Sequence, residues 1–134
     1  MKELKYRAWD KLNNQMLEVL QISFNDRGLP YIRVGIVGRN HNNDYNLRMY
    51  DIELMQFTGL YNKNKKEIYE GDIVRSGYFK RTETVEFING AFMVKADTGS
   101  NYTLLSWWCE RGAGVQILGN IYLKNCIAKQ GSLL

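Results

Sequence analysis

Proline and histidine each occur once in this sequence, cysteine occurs only twice, and no stretch reaches the roughly 18 consecutive apolar residues that mark a membrane-spanning helix. The single proline, Pro30, leaves nearly the whole chain able to donate backbone hydrogen bonds to a sheet. Cys109 and Cys126 lie far apart and form no Cys-x-x-Cys pair, so neither a disulfide framework nor a dithiol motif is indicated. Both read as reduced thiols. His41 sits among Asn40, Asn42 and Asn43 without a cysteine or carboxylate cluster, a setting that suits an exposed loop and not a zinc site or triad. No dense Asp/Glu box suggests calcium, so no metal and no cofactor are expected. The charges at Lys2, Glu3, Lys5 and Arg7 are unlike an export signal, and a cytoplasmic protein is the expectation.

What the chain does have is aromatic and β-forming content. Its 134 residues suit one domain-sized core, and aromatics make up 13% of them, with nine tyrosines and three tryptophans. Short runs rich in Val, Ile, Tyr and Phe alternate with turn residues, the pattern of antiparallel strands. Residues 4–9 and 16–24 pair as a hairpin around Asn13-Asn14, and residues 31–37 follow as a strand. The polar run 38–46 reads as a loop. Residues 54–60 form another strand, 62–66 a charged turn and 67–69 a brief extended piece. The runs 73–75, 84–87, 91–94 and 115–118 complete the series, with Asn89-Gly90 as a strong hairpin signal. Between the last two, Leu104, Leu105 and Trp108 fit one face of a short helical turn.

The fold expected is mostly β with minor α: a small SH3-like barrel over residues 65–123, because closure would remove exposed sheet edges. A β subdomain over 1–64 precedes it, and a flexible or interface-docking tail, 124–134, follows. At the barrel's start, Glu70-Gly71-Asp72 should make a tight turn, with Gly71 taking a conformation closed to other residues and Asp72 bonding nearby amides. Gly119-Asn120 marks a bulge or a close backbone approach.

Candidate chemistry is sparse, and no catalytic residue is assigned. Glu70 with Asp72, and Asp51 with Glu53, could be imagined as acid–base pairs, but carboxylates in turns are usually caps or solvated charges. Ser76 and Ser106 lack a nucleophile-elbow setting. Arg111-Gly112-Ala113-Gly114 lacks the Gly-Lys-Ser/Thr continuation of a phosphate loop. A net charge of +4 and a pI near 9.1 suit an acidic partner. The strongest binding pattern is Arg75 with Tyr78, Phe79, Lys80 and Arg81, which mixes phosphate-neutralising and base-stacking groups. Lys63, Lys65 and Lys66 read as a solvated turn. Adjacent Trp107 and Trp108 cannot both point into one core, so one should be buried and the other lie near a surface. An exposed tryptophan suits a protein interface, and Trp9 shares that reading.

Three segments in order resemble the YopX family of phage and prophage proteins. They are Tyr6-Arg7-Ala8-Trp9-Asp10; Leu54-Met55-Gln56-Phe57-Thr58-Gly59-Leu60 with Glu67-Ile68-Tyr69-Glu70-Gly71-Asp72-Ile73-Val74; and Leu118-Gly119-Asn120-Ile121-Tyr122. The resemblance covers nearly the whole chain and is weakest over 31–50. It implies a β-rich, self-associating protein encoded by phages or prophages, and no particular biochemical activity. The function expected is therefore that of an accessory protein in the bacterial cytoplasm, not an enzyme. It would act as a homo-oligomer or on a host or phage protein, with nucleic-acid binding through the Arg75 loop as the alternative.

Overall fold

The computed structural model describes residues 4–24, 30–38, 44–76, 82–96, 102–111 and 114–123. Two antiparallel sheets hold the strands, so the mostly-β class read from the sequence is correct. The chain divides into two compact units, Leu4–Gln56 and Phe57–Leu134. Among the described residues no helix is long and apolar enough to cross a membrane.

The first unit begins with β1 (Tyr6–Asp10) and β2 (Gln15–Phe24), an antiparallel hairpin in which Ala8 faces Leu17. Its turn is where the Asn-Asn signal placed it. Asn14 has φ 52°, and Asp10 caps the turn by accepting the Leu12 and Asn13 amides at 2.9 and 3.2 Å. Next come β3 (Pro30–Ile36) and β4 (Tyr45–Arg48). Pro30 is the first residue of its strand, a position where a missing amide is tolerated.

A single 3-10 turn, Met49–Asp51, then connects β4 to β5 (Ile52–Tyr61), whose first half pairs with β1. β4 and β5 flank β3, β2 and β1 on opposite sides, so five flat strands would hold them about 19 Å apart. A link of this length spans only about 14 Å, and the sheet must curl to be connected at all. A register shift between Val19 and Gln21 bends β2. The curl encloses Ala8, Leu17, Ile32, Val34 and Ile52, with Tyr45 and Leu47 of β4 packed on them. The loop expected over 38–46 thus yields at its end to a strand, because alternation of Tyr45 and Leu47 supplies a core-facing side that the polar neighbours mask in sequence.

In the second unit the latter half of β5 pairs with β6 (Glu67–Tyr69) across a bulge at Gly59, φ +82°. Thr58 pins that irregularity, donating to the Ile68 carbonyl at 2.7 Å and accepting the Leu60 amide at 3.2 Å. The charged turn after β5 is wound around Asn62, whose Oδ1 accepts the Asn64 and Lys66 amides. A five-stranded sheet follows, built from β7 (Asp72–Ser76), β8 (Thr82–Ile88), β9 (Ala91–Ala96), β10 (Tyr102–Leu104) and β11 (Val115–Asn120). The order is β10-β9-β8-β7-β11, so the last strand returns beside the first as in an SH3-like barrel. The ring is open: β10 and β11 are its edges among the described residues.

Helix α1 (Leu105–Arg111) bridges β10 to β11 and turns Leu105 and Trp108 onto Val74, Val85, Val94 and Val115. The expected helical turn is present. Leu104 is not part of it, being the exposed last residue of β10. The hairpin between β8 and β9 turns at Asn89 and Gly90, φ 51° and 83°, the two positive values a tight two-residue turn requires. β11 slips register between Ile117 and Gly119, as its glycine suggested.

Candidate functional site

Of the carboxylates considered for chemistry, Asp72 and Glu53 are engaged in structure. Gly71 has φ 87°, its amide donates to the Val85 carbonyl at 2.8 Å, and its own carbonyl accepts the Ile121 amide at 3.0 Å. Asp72 is buried and accepts the Tyr69 amide through Oδ2 at 2.8 Å. Glu-Gly-Asp is therefore a backbone junction that brings the lead-in to β7 against β8 and the end of β11. Glu53 pairs with Lys11 Nζ at 3.2 Å, and the Asp51 carbonyl accepts the Lys11 amide at 3.2 Å. Ser76 is buried on the core side of β7, whereas Ser106 lies on α1. Among the described residues no three His, Cys, Asp or Glu side chains gather as metal ligands.

His41, Tyr78, Phe79, Lys80, Arg81, Gly112, Ala113 and Cys126 lie outside the described residues. So does the tail expected over 124–134. Cys109 packs at the margin of the core on α1, where burial first and the neighbouring Glu110 second push its thiol up to about 11. It is protonated at neutral pH and a poor nucleophile.

Arg75 is the described member of the basic and aromatic pattern. It is exposed on the outer face of the five-stranded sheet, donating from Nη2 to Gln116 Oε1 at 3.1 Å. Register carries the same face across the sheet. Arg75 is level with Gln116 and Thr82, and one step on Ile73 is level with Thr84, Lys95 and Tyr102. Lys95 Nζ lies 5.5 Å from the centre of the Tyr102 ring, within range of a cation–π contact. Sequence reading missed Lys95 and Tyr102. They are separated by seven positions and meet only because β10 pairs with β9, and no local spacing announces that.

The three tryptophans divide. Trp9 and Trp108 are buried, with 6% and 1% of their surface exposed, whereas Trp107 is 36% exposed. Helical geometry explains the last two, since adjacent residues point about 100° apart and Trp108 already faces the core. Trp107 follows β10 closely, and there Tyr102 and Leu104 are themselves 38% and 49% exposed. An apolar corner thus adjoins a strand that pairs on one side only, with β9, among the described residues.

The family model described as YopX protein matches residues 5–125. Two solved structures share the fold. Protein EF1440 from Enterococcus faecalis is 21% identical with a TM-score of 0.66, the match covering 93% of this chain and 97% of that one. Protein yopX from Bacillus subtilis is also 21% identical, with a TM-score of 0.57, and the match covers 88% and 92% of the two chains. No curated protein matches this sequence.

Proposed function

Because the chain belongs to the YopX protein family, we propose that it acts by self-association and macromolecular contact, without a catalytic step, as a phage or prophage accessory protein in the bacterial cytoplasm. The observation that carries this reading is the corner formed by β10 and the start of α1. An edge strand offers a row of backbone donors and acceptors to a second strand. Tyr-Thr-Leu has high strand propensity and includes none of the lysines or prolines that commonly protect such edges. Antiparallel pairing of two β10 strands centred on Thr103 would set Tyr102 of one copy opposite Leu104 of the other. Trp107 lies alongside as an anchor of the type enriched at interfaces. A non-catalytic role is further supported by Asp10 and Asp72, both buried and both accepting backbone amides.

The test is the oligomeric mass of the pure protein across a dilution series, compared with Leu104→Asp and Trp107→Ala. Leu104 is 49% and Trp107 36% exposed, and circular dichroism checks that each variant is folded. The reading expects an oligomer that both substitutions dissociate. A monomeric wild type at all concentrations, or variants of unchanged mass, would refute it.

A further inference from the structure

The outer face of the five-stranded sheet has a composition that self-association does not require. Across its first two registered rows stand Gln116, Arg75 and Thr82, then Gly119, Ile73, Thr84, Lys95 and Tyr102. Ile73 is buried within its row, and around it the described residues of these rows hold two cations, hydroxyl and amide groups, an exposed phenol ring and no carboxylate. The next row holds Glu86, level with Met93 and Leu104, and one of its carboxylate oxygens is out of contact with water. Arg75 and Lys95 are two strands and one two-residue step apart, which is roughly 12 Å in sheet geometry. That separation lets them meet different phosphates of one strand and leaves a base between them free to stack.

From this arrangement we propose that the outer face binds single-stranded nucleic acid, with a base stacked on Tyr102 and backbone phosphates held by Lys95 and Arg75. Each side chain is suited to its part. Arg75 is oriented by Gln116 and so loses little freedom on meeting a phosphate. Lys95 holds its ammonium over the Tyr102 ring, and a base that takes that face moves the ammonium aside to its own phosphate. Thr82 and Thr84 add hydroxyls between the two cations. A net charge of +4 favours the encounter with a polyanion. Single strands fit better than duplex, because an exposed aromatic ring is useful only to a base outside a paired stack. The site is complete within one chain. Pairing through β10, if it occurs as proposed above, would place two such faces side by side with the two Tyr102 rings near the join.

The experiment is fluorescence anisotropy of labelled oligothymidylate titrated with the full chain, with oligomeric mass followed in the same samples. Two phosphates neutralised on a single strand predict about a sevenfold loss of affinity between 50 and 200 mM salt. Arg75→Gln and Lys95→Gln together should abolish that salt dependence, and Tyr102→Leu should weaken binding about tenfold. Lys11→Gln with Arg33→Gln removes the same charge from exposed sites in the first unit and should leave binding unchanged. Circular dichroism checks that each variant is folded. The inference is overturned if oligothymidylate does not bind at low salt, if duplex DNA or polyglutamate binds as tightly, or if the Lys11 and Arg33 changes cost as much. An intact oligomer that fails to bind removes this inference alone, and a monomer that binds removes only the β10 pairing.

Discussion

The backbone amide of Tyr69 donates to Asp72 Oδ2 at 2.8 Å, and that bond closes the turn through which the chain enters the five-stranded sheet. Asp72 is 2% exposed, so removing its carboxylate leaves a backbone donor without a replacement acceptor from water. Asp72→Ala should therefore lower stability by about 1–3 kcal/mol. Asp72→Asn, which keeps an acceptor oxygen, should lose less. Urea unfolding with a shared slope for all three proteins measures both effects.

Gly114 marks a second constraint, at the approach to β11. Its φ is +77°, and a methyl group there would lie 2.9 Å from Lys63 Cβ. Gly114→Ala thus meets two costs, the left-handed backbone and the contact, and should destabilise by about 2 kcal/mol. Lys63→Gly removes only the second. A double-mutant cycle should return a coupling of about 0.5–1 kcal/mol, with the backbone cost remaining.

Cys109 supplies a pH dependence. Its thiol is raised to about 11 in the folded protein, against an ordinary value of 9.0, by burial and then by Glu110. The folded state holds this proton more tightly than the unfolded state. The contribution to stability is accordingly complete below pH 9 and is lost as pH rises from 9 towards 11. In a Cys126→Ser background, alkylation by iodoacetamide should be slow at pH 8 and accelerate only at higher pH. Glu110→Gln should shift that profile downward.

Trp107 and Trp108 should separate stability from association. Trp108→Ala empties part of the second unit's core and should cost about 3–5 kcal/mol. Trp107→Ala, at a 36% exposed position, should cost less monomer stability than Trp108→Ala while dissociating the oligomer. Thermal unfolding and sedimentation of the two variants provide the comparison.

Several of these features were legible because they rest on local chemistry. Asn89-Gly90, Asn13-Asn14 and Glu70-Gly71-Asp72 each need a backbone conformation or a cap that few residues supply, so the residues themselves disclose the turns. The split between Trp107 and Trp108 follows from the same short-range geometry. What escaped was non-local. β4 hides in a polar run because only Tyr45 and Leu47 face the core, and the value of those positions depends on how the sheet curls. Strand β10 has three residues, too few for a period to show, and was absorbed into the expected helical turn. The Lys95–Tyr102 contact exists only once β9 and β10 are paired, so composition drew attention to Tyr78 to Arg81 instead. Openness of the ring is likewise a property of β10 and β11 together and has no signature in either segment.

Hydrogen exchange at the Tyr102, Thr103 and Leu104 amides, followed by mass spectrometry at high and low protein concentration, tests self-association through β10 most directly. If two copies pair there, the amide protons not bonded to β9 are protected in concentrated protein and lose that protection on dilution, in step with the fall in oligomeric mass. If their exchange is the same at both concentrations while the mass changes, the copies meet elsewhere and the β10 edge is not the interface.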